Sequence, residues 1–299
     1  MMGWLRFITQ PPATPKGVTR PEKTPKTGVH YDTTWAHRPA AKLIRRFGVW
    51  SFFKPAIAYY GNPRVIGTDR ISEIDGPVIF AANHHSHADT SLLLATLPSR
   101  LREDLAIAAG ADYFFPNRFA GALSALFIGA IPIERTRISK LSLRNSQKAL
   151  EEGRSLLIFP EGGRSPDGWS SEHKPGAAYL AKRCGVPVVP IYLDGTGSIL
   201  PKGKNWPKRA RCAVVFGHPM TIGDDENPRD FAKTVERRVA ELADEFGSGW
   251  WQARKNAYRN STPQPTGPEA GAWRRRWALG PKPGQRRSSE TNKRRWPEL

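Results

Sequence analysis

Residues 77–97, PVIFAANHHSHADTSLLLATL, join an apolar run to a helix-like run through a segment that carries three histidines. The first six residues, PVIFAA, predict a short buried strand, and residues 91–97 predict the body of a helix. A strand that passes directly into a helix is typical of a sheet with helices packed on its faces. The polar residues 83–89 are therefore expected where a sheet strand ends.

The alternation of strand-like and helix-like runs continues through the middle of the chain. Further strands are predicted at residues 105–109, 130–133, 155–159, 186–193 and 213–216. Helices are predicted at residues 119–129, 139–152, 176–183 and 228–246. This order predicts an α/β fold, in which a mixed, largely parallel sheet is flanked by helices and extended by irregular basic N- and C-terminal segments.

The composition divides the chain into four segments. Prolines recur through residues 1–40 and break any helix there, so this basic segment is predicted to be irregular. Residues 41–60 predict an amphipathic helix, and residues 61–247 contain the α/β domain. From residue 248 onward Pro, Gly and Arg predominate, so a basic, disordered tail is predicted over residues 248–299.

Residues 41–60, AKLIRRFGVWSFFKPAIAYY, combine basic residues with a dense apolar and aromatic set, and Pro55 is expected to break the helix. The segment is either an interfacial membrane helix or an ordinary helix packed on the core. In the membrane interpretation, five aromatic residues point into the lipid: Trp50, Phe52, Phe53, Tyr59 and Tyr60. The basic residues that would then meet the head groups are Arg45, Arg46 and Lys54.

The formal net charge of +19 lies mainly at the two ends of the chain. Residues 1–46 contain nine Lys or Arg and two acids, and residues 250–299 contain twelve and three. Such ends attract nucleic acid or an anionic membrane surface, or they stay solvated without a partner. No run reaches the roughly 18–20 apolar residues of a spanning helix, and the first residues lack a signal-peptide pattern. We therefore expect a protein that lies on a membrane without crossing it.

His84 and Asp89 are the candidate catalytic pair. An imidazole can take a proton from a hydroxyl near neutral pH, and a carboxylate on its other nitrogen would stabilise the imidazolium. Positions five apart do not share a helix face, so the pair meets only if His84 precedes the helix and Asp89 lies in its first turn. The alternatives are a metal site, for which no second histidine cluster exists, and an Asp that only caps the helix.

Two further blocks follow predicted strands. In residues 159–165, FPEGGRS, the two glycines let the backbone approach an anion, and Arg164 could grip a phosphate; a plain turn has the same composition. In residues 129–136, GAIPIERT, a short strand delivers Glu134 and Arg135 to the sheet edge. Arg135 is then a second anion ligand or an ordinary surface residue.

The order of these blocks, NHxSHxD, GxxxIxRT, FPEGGRS and the strand VPVVPIYL, resembles the glycerolipid acyltransferase family of 1-acylglycerol-3-phosphate acyltransferases over residues 60–220. The resemblance implies that His84 and Asp89 form the catalytic dyad. It also implies that the acceptor's glycerol phosphate is bound by Arg135, Glu161 and Gly162, with Gly163 and Arg164 beside them. Gly163 stands where the family often has Thr, which leaves the identity of the acceptor less defined.

The expected reaction is direct transfer of an acyl group from acyl-CoA or an acyl carrier protein to 1-acylglycerol-3-phosphate in phospholipid biosynthesis. No metal or other cofactor is expected. The expected location is the cytoplasmic face of a membrane, in peripheral or monotopic contact with anionic lipid. Alternative acceptors are glycerol 3-phosphate and a non-phosphorylated lipid. A basic nucleic-acid-binding protein is the alternative from another class, although residues 47–249 carry only 25 Lys or Arg against 22 acids.

Overall fold

A computed structural model describes residues 28–134, 140–165, 168–201, 203–204 and 206–265. Seven strands form one sheet in the order β1-β7-β6-β2-β5-β3-β4, and every neighbouring pair is parallel except β6 and β7. The strands are β1 Arg64–Ile66, β2 Ile79–Ala82, β3 Leu105–Gly110, β4 Ala130–Ile133, β5 Ser155–Ile158, β6 Val188–Asp194 and β7 Ala213–Phe216. The predicted fold class, a mixed and largely parallel α/β sheet, is confirmed.

Helices connect the strands and cover both faces of the sheet. Those before β3 are α1 Pro39–Gly48, α2 Lys54–Gly61, α3 Ala88–Thr96 and α4 Ser99–Arg102. Those after β3 are α5 Ala111–Phe114, α6 Arg118–Ile128, α7 Lys140–Glu151, α8 Gly176–Cys184, α9 Thr196–Ile199, α10 Pro228–Ser248 and α11 Trp250–Tyr258. Short 3-10 turns lie at Gly28–His30, Thr34–His37 and Asp69–Ile71.

The central strand β2 is buried on both faces, which explains its unbroken apolar sequence. Side chains alternate along a strand, so Ile79 and Phe80 enter different core clusters. Phe80 packs in the cluster that contains Leu92 of α3, whereas Ile79 packs in the cluster that contains Phe231 of α10. The end of β2 is therefore a rigid point from which the polar residues 83–89 emerge.

Strand β6 contains Pro190 and yet lies inside the sheet. It pairs with β2 over Val188–Ile191, and its antiparallel pairing with β7 begins only at Ile191, directly after the proline that lacks an N–H. Because β6 and β7 run in opposite directions, the segment that joins them lies at the carboxyl end of β6. That end is also the carboxyl end of β2.

The segment 41–60 is helical throughout, but it is not simply broken at Pro55. The π-helical turn Val49–Phe53 joins α1 to α2, and the Lys54 N–H bonds to the Val49 carbonyl. A proline one residue later lacks an N–H, which agrees with a wider turn at this point.

The side chains of segment 41–60 divide between the core and the surface. Arg45 is buried and donates to the carbonyls of Ala36, Ala125 and Leu126, so its predicted contact with head groups is wrong. Phe53 and Tyr60 pack against the core instead of facing outward. The most exposed apolar side chains of the segment are Leu43, Ile44, Phe47, Trp50, Phe52 and Tyr59.

The prediction that ordered structure ends near residue 248 is wrong for the next residues. Helix α11 packs back on α10, with Ala253 buried and the Asn256 side chain donating to Asp244 at 2.8 Å. The sequence did not predict this short helix, because its composition resembles that of the Arg-rich residues that follow it. Residues 266–299, most of the predicted tail, lie outside the described residues, as do residues 1–27. In the described part of the chain, no helix has the length and apolar character needed to span a bilayer.

Candidate active site

His84 and Asp89 meet at the carboxyl end of β2. His84 lies on the turn that follows the strand, and Asp89 lies in the first turn of α3. The His84 Nδ1 and Asp89 Oδ2 atoms are 2.8 Å apart. Because a carboxylate accepts, the imidazole proton is assigned to Nδ1, which leaves Nε2 free to accept a proton from a bound hydroxyl. The arrangement is the one that the five-residue spacing required.

The carboxylate of Asp89 is fully buried and organises the loop around it. Its Oδ2 atom also accepts from the backbone N–H groups of His85 at 2.8 Å and Ser86 at 2.9 Å. These bonds fix the carboxylate in the turn between β2 and α3. The Ser86 hydroxyl donates to the Leu200 carbonyl and accepts from the Ala88 N–H, so this hydroxyl serves the loop structure.

Two neighbours that the motif analysis did not single out fix the position of this loop. The Phe159 ring stacks on His84 with centroids 4.1 Å apart and planes 20° apart. The buried Asn83 side chain exchanges two hydrogen bonds with the backbone of Leu193, which ties the end of β2 to β6. Both residues stood inside quoted blocks, but only the fold shows what they contact.

Glu161 joins the two loops of the site. Its Oε1 atom accepts from the His84 N–H and its Oε2 atom from the Ser171 N–H, both at 2.8 Å. Burial raises the pKa of this carboxyl to about 8, against the lowering effect of the two backbone hydrogen bonds. The resemblance implies acceptor binding for Glu161, but in the structure both oxygens hold backbone groups. Its visible role is to position His84.

Gly162 and Gly163 follow Glu161 and differ in what surrounds them. Gly162 has a φ of +74°, and a Cβ there would lie 2.5 Å from Lys174 Nζ. A Cβ on Gly163 would meet nothing within 4 Å, so its backbone borders open space. The loop is held to the dyad because the Ser165 N–H donates to the His84 carbonyl at 2.8 Å. Lys174 carries no sequence signal, since a single lysine nine residues beyond the block forms no pattern.

The remaining predicted phosphate ligands are Arg164 and Arg135. Arg164 lies in the loop after β5, between Gly163 and Ser165. Arg135 lies outside the described residues, although Glu134 at the end of β4 donates its N–H to the Ser142 hydroxyl at 2.7 Å. The structure thus brings His84, Asp89 and the loop after β5 together. Whether Arg135 joins them lies outside the described residues.

A small apolar cavity of about 50 Å³ opens beside His84. Its polar end is formed by His84, His87, Thr90, Gly162 and Gly163, and its walls are formed by Ile107, Ala108, Ala109, Gly110, Phe114, Ile128, Ile133 and Phe159. Most of the wall comes from β3, α6 and β4, which no motif marks. Chemically, the site places a candidate general base at the mouth of an apolar pocket, next to a glycine loop. Within the described residues, no group of three or more His, Cys, Asp or Glu side chains could hold a metal ion.

The chain is similar to known acyltransferases. A family model described as Acyltransferase matches residues 62–194. The chain is 31% identical over 169 residues to a chloroplastic 1-acyl-sn-glycerol-3-phosphate acyltransferase of Brassica napus, which covers 56% of this chain and 45% of the relative. It is 30% identical over 199 residues to the 1-acyl-sn-glycerol-3-phosphate acyltransferase of Pseudomonas aeruginosa, covering 65% of this chain and 72% of the relative.

A solved structure is also similar. The crystal structure of the 1-acyl-sn-glycerophosphate acyltransferase PlsC from Thermotoga maritima superimposes with a TM-score of 0.54 at 25% identity, covering 71% of this chain and 83% of that chain. The chain spans about half the length of the plant and algal relatives it matches, between 43% and 51%. The match includes both loops of the site, since residues 62–194 contain His84, Asp89 and Glu161.

Proposed function

The chain belongs to the acyltransferase family, and we propose that it moves a fatty acyl group from acyl-CoA or an acyl carrier protein to the free hydroxyl of 1-acylglycerol-3-phosphate. The reaction would be a step of phospholipid biosynthesis. The observation that carries the proposal is the His84–Asp89 pair at the mouth of an apolar cavity, beside the glycine loop after β5. A base, an acyl pocket and an anion-accessible backbone are what this transfer requires.

In the proposed reaction His84 Nε2 accepts the proton of the acceptor hydroxyl as its oxygen attacks the thioester carbonyl. A tetrahedral intermediate forms, and it collapses as the carbon–sulfur bond breaks and the carrier thiol leaves with the proton that His84 returns. Asp89 stabilises the imidazolium between the two proton transfers. General-base catalysis of this kind contributes roughly 10²–10⁴-fold to the rate. No metal or redox group enters these steps.

The acceptor phosphate is proposed to bind beside Gly163, with Arg164 and Arg135 as its cationic partners. The support is the open space over Gly163 and the positive φ of Gly162, which together leave backbone accessible to an anion. The donor's acyl chain is proposed to enter the cavity walled by β3 and α6. Burial of its methylene groups there is favourable by about 0.8 kcal/mol each.

Contact with a membrane is proposed through α1 and the π-helical turn. Phe47 and Trp50 are 65% and 72% exposed, and Arg46 and Lys54 lie near them. Such a surface suits the head-group boundary of an anionic bilayer on the cytoplasmic face. Phe47→Ser combined with Trp50→Ser should reduce co-sedimentation with anionic vesicles, whereas Tyr258→Ser, at a residue 90% exposed on α11, should not. Equal sedimentation of both variants and the wild type would remove this part of the proposal.

The deciding assay mixes purified protein with lysophosphatidate and palmitoyl-CoA or a palmitoyl carrier protein. Free thiol and phosphatidate are then followed together, because hydrolysis alone releases thiol without forming phosphatidate. Glycerol 3-phosphate and a monoacylglycerol serve as competing acceptors, because Gly163 leaves the acceptor side open. The proposal predicts phosphatidate as the main product. Thiol release without phosphatidate, or a clear preference for another acceptor, would overturn it.

A further inference from the structure

A strongly basic segment lies at the same sheet edge as the dyad. Residues 201–211, PKGKNWPKRAR, carry five Lys or Arg and no acid, and we call them the basic loop. The loop follows α9 and precedes β7, so it leaves the carboxyl end of β6. It is close to the dyad loop, since the Ser86 hydroxyl donates to the carbonyl of Leu200, the residue before it, at 2.8 Å.

The sheet order separates the basic loop from the proposed acceptor site. Strand β2, which carries His84, has β5 on one side and β6 on the other. The proposed phosphate ligands all follow β5 or β4, on the first side. The basic loop follows β6, on the second side. The basic loop is therefore separate from the proposed acceptor ligands, and a carrier bound there would reach His84 from the opposite side of β2.

The described part of the basic loop, residues 201, 203–204 and 206–211, contacts neighbouring elements. The Lys208 N–H donates to the Ile199 carbonyl at 2.8 Å, and the Ala210 N–H donates to the Tyr60 carbonyl at 2.9 Å. The Arg209 guanidinium lies over the Tyr59 ring, 3.7 Å from its centroid. Binding of a partner here would therefore cost little conformational entropy in the described part of the loop.

Three cations in the described part of the basic loop are available for a partner. Lys204, Lys208 and Arg211 are exposed, and none of them forms an ion pair within the described ranges of the chain. Trp206 is 84% exposed. These cations and Trp206 lie within one short stretch of the chain, and complementary charge steers association with an acidic partner.

We propose that the basic loop is the docking surface for an acidic acyl carrier protein, which presents the acyl thioester to His84 from the β6 side. This inference rests on the proposed function and names its donor. A bilayer fits less well, because the exposed apolar residues Phe47 and Trp50 precede Tyr59, the residue that Arg209 contacts, by roughly three and two and a half helical turns. A compact nucleotide fits less well too, because the cations are distributed along a loop and not around one phosphate.

The test compares two variants that change charge equally. The loop variant combines Lys208→Glu with Arg211→Glu. The control combines Arg229→Glu with Arg237→Glu, two exposed arginines on α10. Each is assayed with three palmitoyl donors: an acidic bacterial acyl carrier protein, CoA, and N-acetylcysteamine, which carries neither protein nor phosphate. Circular dichroism checks that both variants are folded.

The loop variant should raise KM for the acyl carrier protein about tenfold or more and weaken its salt dependence, because rim charges control association. The KM for lysophosphatidate, the rate with the N-acetylcysteamine thioester and all values of the control should stay near wild type. An unchanged KM for the carrier protein would overturn the proposal, as would a larger effect on CoA. Loss of vesicle binding without that KM change would assign the loop to the membrane instead. Absence of transfer from every donor in the wild type would reject the proposed function itself.

Discussion

The loop after β2 and the loop after β5 meet at His84, but they are held by different kinds of contact. The first loop closes on itself, because Asp89 binds His84, His85 and Ser86, all within five residues. The second loop is held from a distance, because Glu161 reaches a backbone group 77 residues earlier in the chain. The His84–Asp89 pair is thus specified by neighbouring residues, whereas the contact that positions it against the loop after β5 depends on the folded sheet.

This difference separates two ways of losing activity. A change in the first loop alters the protonation or orientation of the base itself. A change in the second loop moves the base relative to the substrates while its chemistry stays intact. The two should differ in size, in their dependence on pH and in which kinetic constant responds.

Asp89→Asn should have the largest effect among the supporting residues. The amide keeps an oxygen for the backbone N–H groups of His85 and Ser86, but it favours the wrong tautomer of His84. We expect kcat to fall by roughly 10⁴-fold with little change in melting temperature. Steady-state kinetics at saturating substrates measures the effect. A loss of only a few-fold in folded protein would mean that Asp89 serves the loop alone.

Glu161→Gln should lower kcat by about 10- to 100-fold, because a small displacement of a catalytic group is costly. The amide accepts one of the two backbone N–H bonds and leaves the other unpaired. The KM for the acceptor should change little, since Glu161 contacts His84 and Ser171 and not the open space. Glu172→Gln, at an exposed neighbour, is the control. A raised KM for the acceptor with unchanged kcat would instead indicate that Glu161 binds the acceptor.

The two glycines of the second loop provide a matched pair. Gly162→Ala should destabilise the protein by about 1–2 kcal/mol, because the backbone is left-handed and the new Cβ approaches Lys174. Gly163→Ala should be close to neutral in stability, because its φ is not positive and the space is open. Chemical denaturation measures both. An equal loss of stability in the two variants would show that the loop does not keep this conformation in solution.

The second loop should also make the stability of the protein depend on pH. The pKa of Glu161 is raised by burial to about 8 from an ordinary value of 4.5, so the folded state holds a proton that the unfolded state has released. This group therefore stabilises the fold most at low pH, and the free energy of unfolding should fall between about pH 5 and 8. Glu161→Gln should flatten that slope. A wild-type stability that rises with pH over this window, with no difference in the variant, would contradict the raised pKa.

The same contrast explains what the sequence could predict. The strand-to-helix pattern and the five-residue spacing of His84 and Asp89 are local, so both the α/β class and the meeting of the two side chains followed from them. The contact of Glu161 with the His84 backbone, the cavity walled by β3 and α6, and the burial of Arg45 all join distant segments. No periodicity or motif encodes such contacts. Helix α11 was missed because its Trp and Arg content resembles the tail that follows.

The central claim is that His84 acts as the base in direct transfer to a lipid hydroxyl. The most direct test is the rate of phosphatidate formation by His84→Ala across pH 5–9, with Asp89 intact and circular dichroism as the folding control. The account predicts a loss of roughly 10²–10⁴-fold relative to wild type. A folded His84→Ala variant with activity within a few-fold of wild type would contradict it.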